Sequence, residues 1–256
     1  MKAKKILFLL VIISIIFSCN INQEEKNEFS HFSEQFSDLK ILRYQIPGFD
    51  KLTLSQKKFV YYLTEAGLYG RDIMYDQNYR HNLKIRRALE NIYLNYNGNK
   101  NDNQWRSFEI YLKRIWFSNG IHHHYSNDKF DPDFSEEYLK NLMNETNTEL
   151  NNEVFDLIFN DVDSKKVNKN KSKGIVLGSS VNFYGSDVTE EDVDNFYNNI
   201  KVPDSNKPIS LGLNSKLVKE DGILKEKVWK KGGMYSESIE KIIDTLELAK
   251  KYAENK

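Results

Sequence analysis

Three of the chain's five histidines stand side by side, His122, His123 and His124, in the segment NGIHHHYS. Imidazole is a common zinc ligand, and a catalytic zinc needs three protein donors converging on one point, with a carboxylate near the bound water. On an extended segment His122 and His124 share a face with Cα atoms about 6.5–7 Å apart, given a rise of about 3.3 Å per residue. A third ligand would then have to come from elsewhere, such as Asp128 or Asp131. The competing expectation is a packed turn after a helix ending near Phe117, with imidazoles hydrogen-bonded to backbone groups. The turn is the favoured reading, because no His-Glu-x-x-His pair, which sets two imidazoles and a Glu on one helical face, occurs in the chain. His31 and His81 stand alone.

Other chemistries find less support. The chain has one cysteine, Cys19, and no Gly-x-Ser-x-Gly elbow, so a nucleophile triad has no recognisable start. The short glycine segments lack the spacing of a phosphate-binding loop or a dinucleotide turn. Glu190, Glu191 and Asp192 read as the first turn of a helix, where acids suit the dipole.

The first residues address the chain. MKAKKILFLLVIISIIFSCN has a basic start (Lys2, Lys4, Lys5) and an apolar run from Ile6 to Phe17, closing on Ser18-Cys19. That is a secretory signal pattern, too short and wrongly flanked for a membrane-spanning helix. It resembles a bacterial lipobox, so residues 1–18 are expected to be a lipoprotein signal and Cys19 the lipidated residue. The expected location is the cell envelope, with the membrane as a partner through the lipid. Without residues 1–18 the chain loses three lysines and no acids, leaving 34 basic against 37 acidic residues. No basic stripe survives, and no nucleic-acid partner is expected.

The elements that must position any site follow from periodicity. Residues 19–36 are polar and are expected to be a tether. Thr53 with Gln56 fits a capping box, and Phe59, Tyr62, Leu63, Ala66, Gly70 and Ile73 make one face of a long helix. Further helices are predicted in NLKIRRALENIYLNYNG, SFEIYLKRIWF, DFSEEYLKNLMNET (Ser135 as N-cap) and ELNNEVFDLIFN, so 37–163 is expected to be helical. Residues 164–173 lack apolar periodicity and read as an exposed connection. Residues 174–256 change texture. GIVLGSSVNFYG suggests strand and turn, Thr189 caps a helix, Asp221-Gly222 joins two strands in a hairpin, and Ile239, Ile242, Ile243 and Leu246 line a last helix. That last helix runs almost to Lys256 without a stop and shows an apolar face in want of a partner. The fold class is α+β, a mainly helical first part followed by a smaller hairpin-plus-helix part.

Taken together, LRYQIPGF, VYYLTEAGLYGRDI, YLKRIWFSNGIHHHYSNDKFDP, SSVNFYGSDVTEEDVDNFY and ISLGLNSKLVKEDGILKEKVWKKGGMY resemble the N-terminal part of bacterial dipeptidyl-peptidase III enzymes. These are two-lobed, zinc-dependent exopeptidases that release dipeptides from peptide N-termini. The likeness runs from about residue 37 onward. The family's His-Glu-x-x-Gly-His motif and its later acidic motif are absent here, so no catalytic residue and no metal ligand is carried over. The resemblance implies an incomplete portion of the peptidase, inactive by itself, with a peptide substrate and a missing catalytic lobe as its partners. Zinc is expected in the complete family member and not in this chain. Asn119, His122, His124, Asn182 and Tyr184 fall in the matched segments and are the candidate substrate-side residues. The alternative expectation is a non-catalytic, lipid-anchored peptide-binding or scaffold module.

Overall fold

A computed structural model describes residues 29–160, 166–200, 206–207 and 209–255. The expected signal segment and Cys19 lie outside the described residues. The chain divides into two units, Met1–Pro47 and Gly48–Lys256.

In the first unit, β1 (Phe32–Phe36) pairs antiparallel with β2 (Leu39–Leu42) in the register Phe36↔Leu39, Gln35↔Lys40 and Glu34↔Ile41. Two residues connect them, and Ser37 takes the left-handed conformation (φ 50°) that such a tight link requires. The described end of the expected tether is therefore a strand.

The second unit is mainly helical, and the α+β reading holds. It opens with α1 (Leu54–Tyr69), whose capping box is formed as expected. Thr53 Oγ1 accepts from the Gln56 N–H at 3.2 Å, and Gln56 Oε1 accepts from the Thr53 N–H at 2.9 Å. The predicted long helix is interrupted at Gly70, where α2 (Arg71–Asn78) begins. An added Cβ at Gly70 would meet Ile242 Cδ1 at 3.8 Å, so the break coincides with a close approach of another helix.

α3 (Asn82–Asn95) and α4 (Asn103–Ser118) carry the core. Ile85, Leu89 and Ile92 face Trp105, Phe108, Leu112 and Ile115 in one buried cluster. Each such side chain contributes roughly 1.5–3 kcal/mol on leaving water. α5 (Glu136–Glu145) starts at Ser135, whose hydroxyl accepts from the Tyr138 N–H at 3.1 Å. It adds Leu139 and Leu142 to the cluster, and α6 (Asn152–Phe159) adds Val154, Phe155 and Ile158.

The segment expected to be an exposed connection is partly built in. Asn168 is buried, its side chain donates to the Gly174 carbonyl at 2.7 Å, and its N–H donates to Ser179 Oγ at 2.8 Å. The Lys166 carbonyl accepts from the Ser180 and Val181 N–H groups. Once a buried amide satisfies this backbone, GIVLGSSVNFYG needs no strand partner, and it folds as turns with only Tyr184 bridging to a strand.

α7 (Glu190–Asn198) has the expected Thr189 cap, closed reciprocally by Asp192. β3 (Ser215–Glu220) and β4 (Ile223–Val228) pair antiparallel through Asp221 (φ 53°) and Gly222 (φ 78°), the two positive φ values of a primed hairpin turn. α8 (Ser236–Lys250) packs on α1, but the face expected to need a partner is only partly covered, since Ile243 and Leu246 stay exposed. It runs antiparallel to α1, burying Thr245 and Ala249, with Tyr252 stacked on Tyr62 at 5.8 Å.

Candidate functional site

The end of α2 and the turn into α3, Asp76 to Asn82, reaches both groups of candidate residues. Backbone geometry explains why. Tyr79 leaves the helix in an extended conformation (φ −163°, ψ 131°), so successive groups face opposite sides. On one side Asn78 Nδ2 and Asn82 Nδ2 donate to the Asn119 carbonyl at 3.4 and 3.2 Å, and Asn82 Oδ1 accepts from the Ile121 N–H at 3.0 Å. On the other, the Gln77 carbonyl accepts from the Asn182 N–H at 3.0 Å. Arg80 donates to the carbonyls of Ser180 and Ser179 at 2.9 and 2.7 Å, from its backbone and its guanidinium respectively.

The histidine segment is a tight loop. Asn119 ends α4 in the left-handed conformation (φ 53°), Gly120 follows at φ 148°, and the Phe130 N–H donates back to the Ile121 carbonyl at 2.8 Å. His122 is buried, 2% exposed, with its ring edge-on to Tyr79 at 4.9 Å. His123 Nδ1 accepts from the Tyr125 N–H at 3.3 Å. His124 is exposed against Phe117 at 5.2 Å. The suggested third ligands are engaged elsewhere, Asp128 with Ser126 and Asp131 with Lys129. Among the described residues no group of three His, Cys, Asp or Glu side chains converges as a metal site. His122, buried against Tyr79, and His124, exposed against Phe117, do not converge on a shared point.

The second flank is a polar cluster drawn from four separate segments. Asp76 Oδ2 accepts from Asn182 Nδ2 at 2.7 Å and from the Tyr235 hydroxyl at 2.6 Å. Lys216 Nζ, from β3, donates to Asn182 Oδ1. Burial pushes the Lys216 ammonium below its ordinary range, with Asp76 pulling the other way. Burial, reinforced by the bond to Asp76, holds the Tyr235 phenol far above its ordinary value, so it is a neutral donor. Tyr235 also sits at φ 61°, a left-handed conformation that costs a bulky residue roughly 1–3 kcal/mol.

Tyr184 lies beside this cluster. Its neighbours Phe183 and Gly185 bond Leu217 of β3 at 3.0 and 2.7 Å, and burial raises its phenol. Across the hairpin, Glu226 Oε1 accepts from the Tyr197 hydroxyl at 2.8 Å and from Ser215 Oγ at 2.6 Å. Burial and the neighbouring Glu226 push the Tyr197 phenol up to about 12.

The five predicted residues thus divide in two, Asn119, His122 and His124 on one flank and Asn182 and Tyr184 on the other. Sequence reasoning missed Asp76 and Lys216, which bond Asn182, and Tyr235, which bonds Asp76. No local signal marks them, since each is an ordinary residue in its own segment. The chain matches no known protein-family model and no curated protein.

Proposed function

We propose that this chain is the peptide-side part of a secreted, lipid-anchored zinc dipeptidyl-peptidase of the kind its motifs resemble, and that by itself it binds peptide without cleaving it. One observation carries the reading. The Asp76 carboxylate is oriented by two donors on a single oxygen, Asn182 and Tyr235, and Asn182 in turn accepts from Lys216 of the β3–β4 hairpin. A carboxylate fixed in this way suits a peptide ammonium group. Among the described residues β4 pairs as a strand only with β3; the Val228 carbonyl accepts from the Met234 N–H, and the rest of the outer edge offers main-chain donors and acceptors to an extended segment. Lys216, Tyr184 and Tyr197 supply further polar groups around that segment.

A second reading is a lipid-anchored module that binds peptides and has no catalytic role, since the polar cluster around Asp76 bears on peptide binding alone. Two measurements separate the outcomes. Residues 19–256 should bind an oligopeptide with a free N-terminus more tightly than its acetylated form, and should release no dipeptide from an arylamide substrate with zinc added. Chelator-sensitive turnover by this chain alone, or equal affinity for the two peptides, overturns the proposal. Sequencing the gene past codon 256 decides between part and module, because an in-frame His-Glu-x-x-Gly-His favours the peptidase.

A further inference from the structure

The turn into α8 places strain on one bulky residue. Tyr235 holds φ 61° and ψ 25°, a conformation that glycine or asparagine takes at lower cost. What tyrosine adds at this position is reach. Its hydroxyl bonds Asp76 Oδ2 at 2.6 Å, 159 positions away in sequence, and its ring lies 5.8 Å from that of Trp229. Ser236, the next residue, begins α8, and its hydroxyl accepts from the Gly232 N–H at 2.8 Å. One side chain therefore fixes both the left-handed entry and the starting point of the helix.

α8 packs chiefly on α1, and neither helix contributes a side chain to the buried cluster carried largely by α3–α6. The oxygen that holds Tyr235 also holds Asn182, so the loop bearing Tyr184 and the entry to α8 share one anchor.

We infer that Tyr235 is a strained latch, whose bond to Asp76 holds the α1–α8 pair in place and whose release frees that pair to move while the α3–α6 core stays folded. Losing the bond lets residue 235 leave the left-handed region, so the strain that opposes the latched state assists opening. The latch operates without a ligand and is testable on the full chain.

Amide hydrogen exchange of the wild type and Tyr235→Phe provides the test, because Phe keeps the ring and removes only the hydroxyl. The expected result is exchange about tenfold faster in residues 57–69 and 238–250, with the amides around Ile92, Phe108 and Ile115 unchanged. Unchanged exchange in α8, or equal acceleration throughout the core, overturns the latch. The double variant Tyr235→Phe/Asp76→Ala should exchange in α8 no faster than Asp76→Ala alone. Additive acceleration would mean that the two residues act separately, which also overturns it.

Discussion

The two flanks of the Asp76–Asn82 stretch are built on opposite plans. The histidine loop is contiguous in sequence and spends its side chains on its own packing, with His122 against Tyr79, His123 on a turn amide and His124 against Phe117. The polar cluster is scattered in sequence, and its members hold one another across the unit. A run of like residues attracts attention because it is local, but converging chemistry comes from distant segments brought together by the fold.

The contrast breaks most visibly at Gly120. Its φ of 148° disfavours any side chain, and an added Cβ would collide with the buried Asn82 amide. Gly120→Ala should destabilise by roughly 3 kcal/mol and unseat the histidine loop, read as a lower urea midpoint. A near-neutral result would mean that the loop is not pinned by the Asn82 contacts.

Asp76→Ala comes next. It leaves the half-buried Tyr235 hydroxyl and the Asn182 amide without their acceptor, an expected loss of about 2–3 kcal/mol together with weakened peptide binding. Loss of stability with peptide affinity intact would reduce the cluster to scaffolding.

Alkaline pH tests the same flank by titration. The Tyr197 phenol is raised from its ordinary 10.0 to about 12, so its contribution is fully present below pH 10 and is lost as pH rises through 12. The melting temperature should therefore fall over that window, and Tyr197→Phe should flatten part of the fall. The smallest effect belongs to His124→Ala, an exposed position expected to change stability by less than about 0.5 kcal/mol. A large loss there would restore the histidine loop as a functional element.

Much of the fold was legible in the sequence because its determinants are local. The caps at Thr53, Ser135 and Thr189 and the Asp221-Gly222 turn all act within three residues of the element they define. The buried faces of α3 and α4 follow a helical period. What escaped depends on distance. The turns at 174–185 answer to Asn168 and Lys166, and the site to contacts spanning 106 and 159 positions. The β1–β2 hairpin escaped for another reason: its mixed polar composition resembles a linker, and its signal rests on a two-residue turn.

The pairing of α1 with α8 has a consequence in time. About 180 residues separate the end of α1 from the end of α8. At about 5–20 residues per second, α1 waits roughly 10–40 s on the ribosome before its partner is made. During that wait Ala66 and the Tyr62 ring are uncovered, and closing so long a loop is entropically slow. The nascent chain should therefore carry α1 with its α8-facing side open until synthesis is nearly finished.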